Sequence, residues 1–64
     1  MHPASEIMLV DEVAAYLKVH PRTVYKLVKR KDLPCFRVGS ELRFRKTDVD
    51  QWIASEEQAT FEKS

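Results

Sequence analysis

Sixty-four residues make one domain at most, with a small core. A single Cys excludes an intrachain disulfide and fits a reducing compartment, and no apolar run approaches the ~20 residues that span a bilayer. The net charge of +1 conceals a split: residues 18–46 hold ten Lys and Arg against two acids, a surplus of +8, while the rest holds eight acids and one Lys.

Residues 1–8 carry no periodic signal and are expected to be a loose, flexible N-terminus, apart from docking of Ile7 and Met8. The run Met1–Glu6 has neither a basic region nor an apolar core, so no signal peptide is expected. Apolar residues at 10, 13, 14 and 17 then share one helical face. Asp11 and Glu12 stand in that helix's first turn, where its dipole favours negative charge. Leu9, at the cap position, has no acceptor to offer.

Lys18, Val19 and His20 make a short turn into a second helix. His20 takes its cap position, and Pro21 its first turn, where a missing N–H costs nothing. Val24, Leu27 and Val28 form a narrow apolar stripe. Arg22, Lys26 and Lys29, spaced i, i+4, i+7, cluster on the opposite side. Two short amphipathic helices joined by a three-residue turn are the helix-turn-helix pattern. Val19 and Val24 occupy the positions of a hydrophobic staple.

Asp32, Leu33 and Pro34 end the second helix. Phe36-Arg37-Val38 and Leu42-Arg43-Phe44-Arg45 alternate apolar with basic around Gly39-Ser40-Glu41, which predicts a two-stranded hairpin. A three-residue loop at 39–41 would pair Val38 with Leu42 and Phe36 with Phe44, gathering the apolar side chains on one face. Arg37 would then lie opposite Arg43, a like-charge pair that suits an anionic ligand. Val49, Trp52 and Ile53 give residues 46–53 a third helix, with Trp52 expected to plug the space under the hairpin. Residues 54–64 read as a polar C-terminal tail that extends the helix or frays. The expected fold is mainly α with a small β-hairpin, a winged helix-turn-helix over residues 9–53.

Taken as an ordered set, Val13-Ala14, Tyr16-Leu17, Arg22-Thr23-Val24-Tyr25, Leu33-Pro34, Phe36-Arg37-Val38-Gly39, Phe44-Arg45-Lys46 and Asp48-Val49-Asp50-Gln51-Trp52-Ile53 resemble the excisionase-type, MerR-like helix-turn-helix domain. The resemblance covers Leu9 to Ile53. It implies a second helix in the DNA major groove and a hairpin wing on the backbone or minor groove. It places Arg22, Thr23, Tyr25 and Lys26 on the recognition helix, and Arg37, Ser40 and Arg43 on the wing. Leu9, His20 and Arg45 depart from the family, which carries Ser or Thr caps there.

The resulting expectation is sequence-specific binding of double-stranded DNA by a small excisionase-like protein or transcription regulator. Arg22 and Lys26 are the candidates for guanine edges. Lys29 and Arg30, with Lys31, would meet phosphates. A protein-interaction adaptor for a recombinase or polymerase is the alternative, and a dimer or cooperative array is an expected mode of assembly. No enzyme is expected, since no nucleophile–base set or phosphate loop is present. No cofactor or metal is expected, because His2, His20 and Cys35 match no ligand spacing. No membrane partner is expected, since the face opposite the cations is committed to a core. The setting implied is the cytoplasm of a bacterium, with a bacterial or phage-derived, nucleoid-associated protein.

Overall fold

The computed structural model describes residues 6–63, with side chains through residue 60. Strand β1 (Ile7–Met8) leads into helix α1 (Val10–Leu17) and helix α2 (Pro21–Arg30). Strands β2 (Phe36–Val38) and β3 (Glu41–Arg45) form a hairpin that runs directly into helix α3 (Lys46–Lys63). The architecture is a winged helix-turn-helix, as the sequence patterns predict.

The starts of α1 and α2 are built from unusual caps. Leu9 has no side-chain acceptor, yet the Glu12 carboxylate accepts its N–H at 2.7 Å, the return half of a capping box. His20 does cap α2: its Nδ1 accepts the Arg22 N–H at 3.0 Å. Replacing His20 by Ala is expected to cost about 1 kcal/mol of stability, the size of a lost N-cap. His20→Asn, which keeps an acceptor, should hold it; urea unfolding of the two variants makes the comparison.

The turn between α1 and α2 closes without glycine. Lys18 sits at φ 60°, in the left-handed region. Its N–H donates to the Ala15 carbonyl at 3.2 Å and the Val19 N–H to Ala14 at 2.9 Å, the paired bonds of a Schellman motif. Asp32 is likewise left-handed after α2, at φ 57°, where the Leu33 N–H donates to the Leu27 carbonyl at 3.3 Å.

The core gathers Met8, Val13, Ala14, Val24, Leu33, Phe44 and Val49, one or two from each layer. Phe44, Val13, Val24 and Val49 are fully enclosed. Met8 belongs to this core, in keeping with the docking expected of Ile7 and Met8, and the two residues form a third strand; residues 1–5 lie outside the described residues. β1 pairs antiparallel with β3, Met8 beside Phe44 and Ile7 beside Arg45, giving the order β1-β3-β2.

The hairpin register differs from the expected one. Val38 pairs with Glu41, Arg37 with Leu42 and Phe36 with Arg43, around a two-residue turn at Gly39-Ser40. Gly39 supplies φ 65° at the first turn position, with no such angle at Ser40, the pattern of a type II′ turn. The turn's backbone chemistry outweighs the tidy facial arrangement. Phe36 and Val38 consequently lie on the outer sheet face, exposed, while Phe44 and Leu42 face inward. Arg37 is not opposite Arg43; the two stand on opposite faces of the wing.

Trp52 also sits elsewhere than expected. Its Nε1–H donates to the Lys31 carbonyl at 2.9 Å, closing the C-terminal end of α2. Val49 is the α3 residue buried in the core with Phe44 beneath the sheet. The α3 helix continues through the residues expected as a polar tail, as far as Lys63.

A surface cluster ties α1 to α3. Tyr16 Oη donates to the Asp50 carboxylate at 2.5 Å, and Lys46 Nζ approaches the same carboxylate at 3.2 Å. Lys46 also stands 5.1 Å from the Tyr16 ring centroid. The Tyr16 hydroxyl foremost, then Lys46, holds the Asp50 carboxyl below its ordinary range. Asp50, then Tyr16, raises Lys46 above its own. As acid is added the unfolded chain therefore protonates at Asp50 first. The contribution is complete above the carboxylate range and is lost as pH falls through ~4 toward Asp50's lower folded value. Lys46 loses its contribution only on the alkaline side, as pH rises past its ordinary value. Over the acid interval the wild-type chain should lose more stability than Tyr16→Phe, in which Asp50 returns toward normal; denaturant unfolding across that interval reads the difference.

Candidate functional site

The helix α2 has the largest separation of faces in the chain. Val24 is fully buried under α1, and Leu27 and Val28 pack against the same core. Opposite them Arg22, Lys26, Lys29 and Arg30 are exposed. Among the described residues no carboxylate pairs with any of these four. A solvated helix surface of this length ordinarily mixes signs; here a row of cations stands uncompensated.

The start of this row is fixed by the His20 cap, which holds the Arg22 backbone, and by the Thr23 N–H, which donates to the His20 carbonyl at 2.8 Å. Thr23 is half-buried between the cap and the open face. Tyr25 is 53% exposed, so it is a surface group and not a core one. Lys29 and Arg30 occupy the last turn, where the negative end of the helix dipole favours them.

The wing stands beside α2 across two clefts. Tyr25, Lys29, Arg37 and Leu42 line one, together with Val28, Cys35 and Phe36. Tyr25, Arg37, Ser40 and Arg43 line the other, which also contains Asp11 and Glu41. Tyr25, Arg37 and Leu42 are shared by both. The structure therefore brings Tyr25, Lys29, Arg37 and Ser40 together between helix and wing, while Arg22, Lys26 and Arg30 stand on the open helix face.

The three wing candidates are not equivalent. Arg37 reaches across the turn, its Nη1 donating to the Ser40 carbonyl at 3.4 Å. Ser40 is exposed at the tip. Arg43 is held back: its Nη2 pairs with Glu41 at 2.8 Å and its Nη1 donates to the Leu42 carbonyl at 2.9 Å. Arg45, which the alternation marked as basic but no site expectation used, lies over the Phe36 ring at 5.7 Å. That pairing follows from the observed register and was invisible under the expected one.

Among the described residues no group of His, Cys, Asp and Glu could hold a metal ion. His20 is engaged as a cap, Cys35 is exposed as a free thiol, and His2 lies outside the described residues. No described helix is long and apolar enough to cross a membrane.

Comparison with known proteins adds to this geometry. A family model described as a helix-turn-helix domain matches residues 8–57. YvgK of Bacillus subtilis (strain 168), whose name assigns no function, is 44% identical over 43 residues, 67% of this chain and 14% of YvgK. Two Mycobacterium tuberculosis proteins, MT0521 and Rv0500A, are named as candidate DNA-binding proteins. Each is 44% identical over 39 residues, 61% of this chain and 50% of theirs. The matched segment thus spans half or less of these relatives. No solved structure matches the chain at a significant level.

Proposed function

Because the chain belongs to the helix-turn-helix domain family, we propose that it binds double-stranded DNA, with α2 in the major groove and the wing on the backbone or minor groove. The observation that carries this reading is the row of exposed, unpaired cations on α2, backed by a stripe of buried Val24 and half-buried Leu27 and Val28. The names of the mycobacterial relatives point the same way.

In this reading Arg22 and Lys26 meet base edges, where guanine offers paired acceptors. Thr23 touches a phosphate or a thymine methyl. Lys29 and Arg30 meet phosphates at the far end of the helix, and Tyr25 sits where helix and wing converge. Arg37 and Ser40 lead the wing contact. Arg43 joins it after release from Glu41, so its share is smaller. The biological role we assign is that of an excisionase-like protein or small transcription regulator.

Retention of the chain on mixed genomic duplex fragments, followed by sequencing of what is bound, tests this. An enriched motif is expected, and its position beside a recombination site or a promoter separates excision from regulation. If Arg22→Ala and Lys26→Ala leave binding to a recombinase or polymerase intact while no DNA is ever retained, the chain is an adaptor instead.

A further inference from the structure

We propose that copies of this chain associate head to tail, the outer face of one sheet seating on an apolar groove between the helices of the next. Both halves of the contact are present on one molecule.

The first half follows from the strand register. Ile7 beside Arg45, Phe36 beside Arg43 and Val38 beside Glu41 all project from the same face, opposite the buried Met8 and Phe44. Ile7 is 44%, Phe36 36% and Val38 54% exposed, three of the six large hydrophobics the described chain leaves in water. Arg43 on this face is neutralised by Glu41; Arg45 is not paired with any carboxylate among the described residues. The patch is apolar with one net positive charge.

The second half is a groove lined by Leu17, Val19, Leu27, Trp52 and Ile53, with Glu56 and Glu57 on its rim. No strand residue lines it. Glu56 lies 4.0 Å from Lys31, whereas Glu57 has no cationic partner among the described residues. This surface is apolar with a negative rim.

Charge selects between the ways two copies could meet. A two-fold contact of groove on groove sets Glu57 against Glu57, and sheet on sheet sets Arg45 against Arg45. Sheet on groove matches apolar with apolar and Arg45 with Glu57. Such a contact uses two different surfaces, so it leaves one of each free at the ends and propagates. It involves neither Arg22 nor Lys26; of the residues assigned to DNA contact only Arg43 lies on this face, held there by Glu41.

Cysteine cross-linking of the full chain tests this. In a Cys35→Ser background, Val38→Cys alone and Glu57→Cys alone should stay monomeric under mild oxidation. An equimolar mixture should give a dimer, and the double variant a ladder of dimer, trimer and higher species. Charge supplies a second readout by sedimentation. Glu57→Arg should weaken self-association about fivefold, near the upper end for an exposed ion pair. Adding Arg45→Glu should restore most of it. Dimerisation of either single Cys variant by itself would mean a two-fold contact and overturn the proposal. A mixture that stays at the 7.5 kDa monomer would overturn it too, and would leave the groove for a basic, apolar segment of another protein.

Discussion

Arg22→Ala combined with Lys26→Ala should lower affinity for a selected duplex by at least about thirtyfold, while leaving the fold unchanged. Two lost base contacts at about 1 kcal/mol or more each give that floor. Neither side chain packs against the core or pairs with a carboxylate, so thermal unfolding should shift by no more than an ordinary surface change, within about 0.5 kcal/mol. The loss should be much larger for the selected sequence than for random duplex, because base contacts specify and phosphate contacts do not. Lys29→Ala with Arg30→Ala should behave in the opposite manner. Binding to all sequences should weaken alike, and the salt slope should shrink by about 1.8, two phosphate contacts at about 0.9 each. Equal losses on selected and random duplex from the Arg22/Lys26 pair would place the base contacts elsewhere.

Phe44→Ala should abolish folding of the free chain. Phe44 is fully buried where β1, β3 and α3 meet, in contact with the same core as Met8 and Val49. Removing a buried phenyl ring costs about 3–5 kcal/mol. A core of this size supplies about 3–5 kcal/mol in total. The two figures are equal, so no margin remains. Far-ultraviolet circular dichroism should lose most of its helical signal, although the ring lies on a strand. Phe44→Leu, which refills much of the space, should fold with reduced stability. A helical, cooperative Phe44→Ala variant would show that the helix pair holds without the sheet.

Much of this architecture is legible in the residues because each helix carries its own periodicity. The stripe at 10, 13, 14 and 17 became α1, and the stripe at 24, 27 and 28, with His20 and Pro21 before it, became α2. The opposing cations follow from the same spacing, so the exposed cationic face of α2 could be read directly. The wing could not, because two rules conflicted there. Facial segregation favoured a three-residue loop, whereas Gly39 favoured a two-residue turn with its positive φ at the first position. The turn prevailed because the wing's outer face has no core to join, so nothing penalises exposing Phe36 and Val38 beyond their contact with water. The error moved Arg43 to the far face and hid the pairing of Arg45 with Phe36.

Two other differences have equally local causes. Strand β1 spans two residues, too few for an alternation to register, and its place is set by Met8 entering a core that forms from distant segments. Trp52 lies on the apolar side of α3, as its spacing predicts, but its indole N–H needs an acceptor. The uncapped Lys31 carbonyl at the end of α2 provides one at 2.9 Å. That bond pulls the ring toward the helix pair and leaves Val49 under the sheet. The continuation of α3 through residues 54–60 agrees with propensity: Ala54, Glu56, Glu57, Gln58 and Ala59 are all good helix formers.

The central claim is that an unpaired cationic face grips a phosphate backbone, and the salt dependence of binding to duplex DNA tests it most directly. With four to six of the surplus cations in reach of phosphates, log affinity should fall against log salt with a slope of roughly −4 to −5. Absence of binding at low salt, or binding with a slope near zero, would contradict it.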